Sequence, residues 1–120
     1  MSAWLHHVGL EVRPEAADAE AAFWAILGFD EVPVPAAVRG RARWLQRAGQ
    51  QVHLLLVAAP VVPQAGHVAV VAADWEATLA RLRAAGHEAR LRAEHWRSPR
   101  TQVLTPAGHR VEVLAAPPPG

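Results

Sequence analysis

Three histidines and a glutamate recur at matching places in this 120-residue chain. His7 opens the apolar run His7-Val8-Gly9-Leu10-Glu11-Val12, and His67 opens His67-Val68-Ala69-Val70-Val71-Ala72, sixty residues later. His53 lies in Val52-His53-Leu54-Leu55-Leu56-Val57. Glu112 lies fifty-nine residues beyond it, in Val111-Glu112-Val113-Leu114-Ala115-Ala116. Imidazole nitrogen and carboxylate oxygen bind first-row metals, with bonds of about 2.0–2.2 Å for zinc. Two histidines and one carboxylate leave coordination positions open for substrate or water. A metal held in that way polarises a carbonyl and stabilises an enolate or an oxyanion. One histidine alone on a strand is ordinarily a hydrogen-bonded structural residue. Four such groups at symmetric places make His7, His67, Glu112 and His53 candidate metal ligands.

The missing residue types narrow the chemistry further. Absence of Cys removes disulfides, thiolate nucleophiles and Cys-type zinc sites. Absence of Lys removes Schiff-base catalysis, and absence of Tyr removes a phenolic acid. The only serines, Ser2 and Ser98, sit outside any Gly-x-Ser-x-Gly elbow, and there is no Gly-rich phosphate loop. The formal charge is +1, so the high isoelectric point rests on a small surplus of arginine. That is no nucleic-acid footprint, which needs positive charge gathered on one face. Arg39, Arg41, Arg43 and Arg47 cluster, as do Arg90, Arg92, Arg97 and Arg100. Most read as solvated strand-face residues; the other reading is that one or two clamp an anionic substrate by bidentate bonds.

A chain of this length with 52% hydrophobic residues is expected to form a single domain with a real core. No apolar run approaches the roughly 20 residues of a membrane span. No basic segment followed by an apolar stretch opens the chain. The expectation is a cytoplasmic protein with neither a membrane nor a nucleic-acid partner.

The elements that must carry the four groups read as a repeat. Residues 4–12 read as a strand. Pro14 suits a first helical turn, and Ala19, Ala22, Phe23, Ile26 and Leu27 follow helical spacing up to a stop at Gly28. Residues 29–35, 41–48 and 51–58 read as strands, the last two joined by the turn Ala48-Gly49-Gln50. Residues 60–63 read as a linker. In the second half, residues 66–73 read as a strand and Asp74 as the N-cap of a helix carrying Leu79, Leu82 and Ala85, with Gly86 as its stop. Residues 88–93, 101–105 and 110–116 read as three more strands, before a frayed Pro-rich tail. Module one is thus about 1–60 and module two about 64–116, each β-α-β-β-β.

Side chains alternate across a strand. His7 therefore shares a face with Gly9 and Glu11, His53 with Leu55 and Val57, His67 with Ala69 and Val71, and Glu112 with Leu114. The fully apolar alternates face the helices. With Trp44 and Trp96 as neighbours, these residues are the expected substrate pocket, and its apolar wall predicts a substrate with a hydrophobic part. His6 has the opposite parity to His7 and reads as solvent-facing or helix-side, and His87, His95 and His109 read as surface residues.

Four segments carry a resemblance. They are Leu5-His6-His7-Val8-Gly9-Leu10-Glu11-Val12, Phe23-Trp24-Ala25-Ile26-Leu27-Gly28-Phe29, Gly66-His67-Val68-Ala69-Val70 and Thr105-Pro106-Ala107-Gly108-His109-Arg110-Val111-Glu112-Val113. In combination and order they resemble the vicinal oxygen chelate superfamily of glyoxalases, fosfomycin-resistance enzymes, extradiol dioxygenases and bleomycin-resistance proteins. The resemblance implies an α+β fold, two paired βαβββ modules forming a curved mixed sheet around a cavity. It implies His7, His67 and Glu112 as the usual three ligands of a divalent metal, which Zn, Ni, Mn, Fe or Co would satisfy. Glyoxalase-type members add a fourth ligand, usually Glu, where this chain has His53. The closing motif commonly has Asp where this chain has Thr105, which reads as a turn residue. Relatives of this length are commonly homodimers.

The reading that follows is a metal-dependent lyase or isomerase of glyoxalase type. It would act on a small molecule whose adjacent oxygens the metal chelates, with Glu112 as the catalytic proton-transfer base. Two rivals stand beside it: a metal-free protein that sequesters a flat or hydrophobic small molecule, and a ring-cleaving oxygenase with a 2-His-1-carboxylate iron site.

Overall fold

A computed structural model of the chain describes residues 2–120. It divides into two compact units, one running to Val62 and the other from Pro63 to Gly120. The boundary falls inside the proline-rich linker.

The first unit contains β1 (His7–Val12), α1 (Ala17–Ile26), β2 (Asp30–Val32), β3 (Ala42–Arg47) and β4 (Gln50–Leu56). The second contains β5 (Val68–Val71), α2 (Trp75–Ala84), β6 (Arg90–Arg92), β7 (Arg100–Leu104) and β8 (Arg110–Leu114). Each unit builds a four-stranded mixed sheet of the same order, β1-β4-β3-β2 and β5-β8-β7-β6. The first strand pairs in parallel with the fourth, and the rest are antiparallel. The architecture is the expected pair of βαβββ modules.

Element limits depend on who supplies hydrogen bonds. The strand expected from residue 4 begins at His7, because the ladder ends where Gln51 N–H donates to His6 O. Trp4 and Leu5 have no partner strand and stay exposed. The α1 stripe also differs from its apolar spacing. Ala17, Glu20, Phe23 and Trp24 are buried, while Ala19 and Ala22 are exposed. A methyl group offers little area, so the fully buried Trp24 sets the rotation of the helix. Glu20, one turn back, goes inside with it and accepts the Trp24 indole N–H at 3.3 Å. Asp74 begins α2, but its ψ of 55° is not the extended backbone that aims a cap at helical N–H groups. Its carboxylate instead accepts from Thr78 Oγ1 and Arg81 Nη2, which hold it below the usual carboxylate range.

Burial follows the expected parity. Val12, Leu45, Val52 and Leu54 form the core face of the first sheet, and Val103, Val111 and Val113 that of the second. Trp75 ties α2 to its sheet, since its indole N–H reaches both Thr101 Oγ1 and Val113 O. No helix among the described residues is long and apolar enough to cross a membrane.

Both helices stop in the same way. Gly28 and Gly86 each have φ of 92°. Gly28 N–H donates to Ala25 O and Phe29 N–H to Trp24 O; Gly86 N–H donates to Arg83 O and His87 N–H to Leu82 O, all at 3.0 Å. This paired bonding around a left-handed residue is the Schellman motif. A Cβ on Gly86 would meet nothing within 4 Å, so Gly86→Ala tests the backbone alone. It should destabilise the protein by about 1–2 kcal/mol, the cost of a left-handed non-glycine residue. Urea unfolding measures this, and an unchanged midpoint would remove the motif's energetic role.

Candidate functional site

In the first unit the face opposite the core carries a stack of rings. Register pairs Gly9 with His53 and His53 with Trp44. Trp44 lies against one side of the His53 ring, with centroids 4.4 Å apart and planes 6° apart. His7 leans across from β1 against the other side, at 3.9 Å and 14°. A Cβ on Gly9 would stand 3.2 Å from the Leu55 side chain, so Gly9 leaves room for Leu55 on this face. His53 Nε2 meets Gln51 Oε1 at 2.7 Å, and Gln51 Nε2 donates onward to Gln46 Oε1 at 2.7 Å. A carbonyl oxygen can only accept, so Nε2 of His53 carries the proton. Burial, followed by the nearby His7 and His6, holds the His53 pKa below its ordinary value.

His6 is exposed, in line with its solvent-facing reading, and it also joins this cluster. Its Nδ1 lies 3.0 Å from Nδ1 of His7. His6 precedes β1, so strand alternation does not reveal that contact. Adjacency to His7 was the only sequence signal for it. Glu11 shares the His7 face, and its carboxylate accepts the Val61 N–H at 3.0 Å. Leu55 is exposed, and Val57, just past β4, is half-buried.

In the second unit the same positions hold charge. Register pairs Ala69 with Glu112 and Glu112 with Gln102. His67 stands one residue before β5 and reaches diagonally to Glu112, as His7 reaches to His53. Its Nε2 lies 3.0 Å from Glu112 Oε1. Its Nδ1 lies 3.0 Å from Ala65 O, and a carbonyl there requires the proton to sit on Nδ1. The other carboxylate oxygen, Oε2, takes Nε and Nη2 of Arg100, each at 3.4 Å. Arg100 also donates to Ala93 O at 2.7 Å and lies 3.1 Å from His95 Nε2. Arg100 was visible only as one of a cluster; its row on β7 is what aims it at Glu112.

Of the expected pocket on this unit, Ala69 and Val71 are exposed on the Glu112 face. Leu114 has the right parity but is only 4% exposed, so it is packed rather than lining an open wall. Residues 96–99 run alongside it: Ala115 N–H donates to Pro99 O, and the half-buried Trp96 donates to Ala116 O. His109 is buried, contrary to its surface reading, because it closes the β7–β8 turn. Thr105 N–H donates to His109 O, and His109 N–H donates to Thr105 Oγ1. Thr105 is thus the turn residue its position implied.

Each unit therefore brings one pair of candidates together, His7 with His53 and His67 with Glu112. Within neither unit do three His, Cys, Asp or Glu groups come together in an arrangement that could hold a metal ion, among the described residues.

A family model described as a glyoxalase-like domain matches residues 9–114. The chain belongs to the glyoxalase-like domain family. With it comes membership of the vicinal oxygen chelate superfamily. Among solved structures, a Bacillus anthracis protein assigned to the glyoxalase family gives a TM-score of 0.83 at 20% identity over 95% of each chain. The fosfomycin resistance protein FosX of Listeria monocytogenes gives 0.77 at 16% identity, over 98% of this chain and 93% of its own. The lactoylglutathione lyase of Agrobacterium tumefaciens gives 0.72 at 18% identity, over 94% and 93%. No curated protein matches the chain. At such identities the likeness shows the glyoxalase fold and leaves the reaction to the site residues.

The ring stack of this glyoxalase-like protein has a pH consequence. A histidine with a depressed folded pKa gives stability that is complete above the unfolded value of about 6.5 and is lost as pH falls towards the folded value. Denaturant midpoints should therefore drop between pH 7.5 and pH 5.5. Trp44→Ala, which uncovers one side of the ring, should move the His53 titration seen by proton NMR back towards 6.5. A wild-type His53 that titrates at or above 6.5 would contradict the burial argument.

Proposed function

We propose that this glyoxalase-like protein is a metal-dependent lyase or isomerase acting on a small molecule with two adjacent oxygens that the metal chelates. The observation that carries the reading is the His67–Glu112 contact. With a proton on Nδ1, His67 turns Nε2 towards Glu112 Oε1 at 3.0 Å. A ring nitrogen and a carboxylate oxygen at that distance call for a proton or a cation between them. Neighbouring ligands of one divalent cation, each bonded at about 2.1 Å, also lie about 3 Å apart. The donor pair fits a metal, and a carbonyl behind the imidazole is the usual device that fixes a ligating tautomer. The superfamily pattern adds His7 as the third donor. Zn, Ni, Mn, Fe and Co all accept such a set.

When bound, the metal supplies Lewis-acid polarisation of the chelated oxygens and so acidifies the adjoining C–H. Glu112 takes that proton and returns it to the neighbouring atom, which is general base and then general acid catalysis. Arg100 holds Oε2 and so keeps the carboxylate rotated with Oε1 towards His67. His53, with Nε2 committed to Gln51, acts as a positioning residue that holds the His7 ring by stacking. The working form is a homodimer, as is common for superfamily chains of this length.

Metal titration of purified apo-protein with Ni, Zn, Mn, Co and Fe should show about one ion per chain. His67→Ala and Glu112→Gln should each weaken binding by roughly 100-fold or more. Glu112→Gln should also lower turnover by about 100-fold or more at saturating metal. Wild-type protein that binds none of these ions would sink the reading and favour the sequestration alternative.

A further inference from the structure

The wall around Glu112 is not the apolar surface its alternating residues implied. Register places Arg90, Gln102, Glu112 and Ala69 in one row across the second sheet. The next row is Arg92, Arg100, Leu114 and Val71, and Leu104 pairs with Arg110 on the other side. Four guanidinium groups thus share the face of the candidate base. Arg100 is held by Glu112, and Arg90 Nε donates to Glu88 Oε1 at 3.0 Å. The Arg92 side chain has no hydrogen bond or ion pair among the described residues. Arg110 has its Nε buried with no acceptor.

A pocket lies beside these groups. Glu88, Arg90, Arg92, Gln102 and Leu104 line a cavity of about 220 Å³ over β6 and β7. Arg110 is the cross-strand partner of the lining residue Leu104 but is not itself part of the lining. Glu88 offsets Arg90, but Arg92 remains. The pocket therefore has a surplus of positive charge and a free planar fork that suits an oxyanion.

We propose that this pocket is an anion subsite, with Arg92 as its free cation, and that it holds a carboxylate, sulfonate or phosphate group. Calling that ligand the substrate rests on the function proposed above. Adjacent strands lie about 4.8 Å apart, so Arg90, two strands from Glu112, sits about 10 Å from it along the row. The substrate would then carry its chelating oxygens at one end and an acidic group about 10 Å away.

The test uses metal-free, nitrogen-15-labelled protein titrated with inorganic phosphate at constant ionic strength, reading the arginine Nε–H signals. Arg92 should shift and saturate. Arg92→Gln should weaken phosphate at least about tenfold, the loss of one charge-assisted bond. Glu88→Gln should tighten it several-fold, a gain that misfolding would not produce. Glu112→Gln should still bind phosphate while losing metal, so failure of the subsite and failure of the metal reading give different results. Shifts that grow linearly without saturating, or that Arg92→Gln and Glu88→Gln leave unchanged, would overturn the proposal.

Discussion

Glu112 has two oxygens, and the second unit is arranged so that each finds a different kind of partner. Oε1 faces an imidazole across the parallel β5–β8 pairing, and Oε2 faces a guanidinium across the antiparallel β8–β7 pairing. The carboxylate is mostly covered, at 15% side-chain exposure, so its charge must be met locally rather than by water. Only a strand with neighbours on both sides can do that. In the order β5-β8-β7-β6 the carboxylate stands on the internal strand β8 and its histidine just before the edge strand β5. An edge position for Glu112 would leave one oxygen without a protein partner.

The first unit repeats that geometry with neutral groups. His53 takes the place of Glu112, Trp44 that of Gln102, and Gly9 that of Ala69, in the same row of a sheet with the same order. Where the second unit matches charges, the first stacks rings and relays a proton donor through Gln51 to Gln46. The difference follows from residue type. A carboxylate demands cations, while a buried imidazole between two rings is more stable neutral, which is the direction of its pKa shift. The duplication thus preserves positions and the diagonal reach of a histidine from the first strand, but not the interaction made there.

Much of this was legible in the chain, for reasons that can be named. Alternation fixes which face a strand residue takes, so His7, His53, Gly9, Ala69 and Glu112 were assigned correctly to the face opposite the core. The two glycine stops were legible because few residues other than glycine adopt φ of 92°. What periodicity does not encode was missed. His6 lies outside the ladder, so alternation says nothing of it. Glu20 is buried because of Trp24, a packing effect that overrides polarity. His109 is buried by the bonding of a turn, and Leu114 by a neighbouring segment distant in sequence. Arg100 looked like one of several solvated arginines until the pairing of β7 with β8 gave it a row.

The same parity separates what the fold needs from what a reaction needs. In β8 the core residues Val111 and Val113 are fully buried, and they hold the sheet whatever stands between them. Glu112 and Arg110 project the other way and contribute little to that core, so they can differ between relatives without loss of the fold. The same architecture is found in a fosfomycin resistance protein and a lactoylglutathione lyase among its structural neighbours. In this chain the face grades from exposed apolar residues on β5, Ala69 and Val71, through the His67–Glu112 pair, to arginines on β6. A ligand lying along one row would meet apolar surface at one end and positive charge at the other. The central strand would then set the chemistry, and the outer strands would set which molecule reaches it.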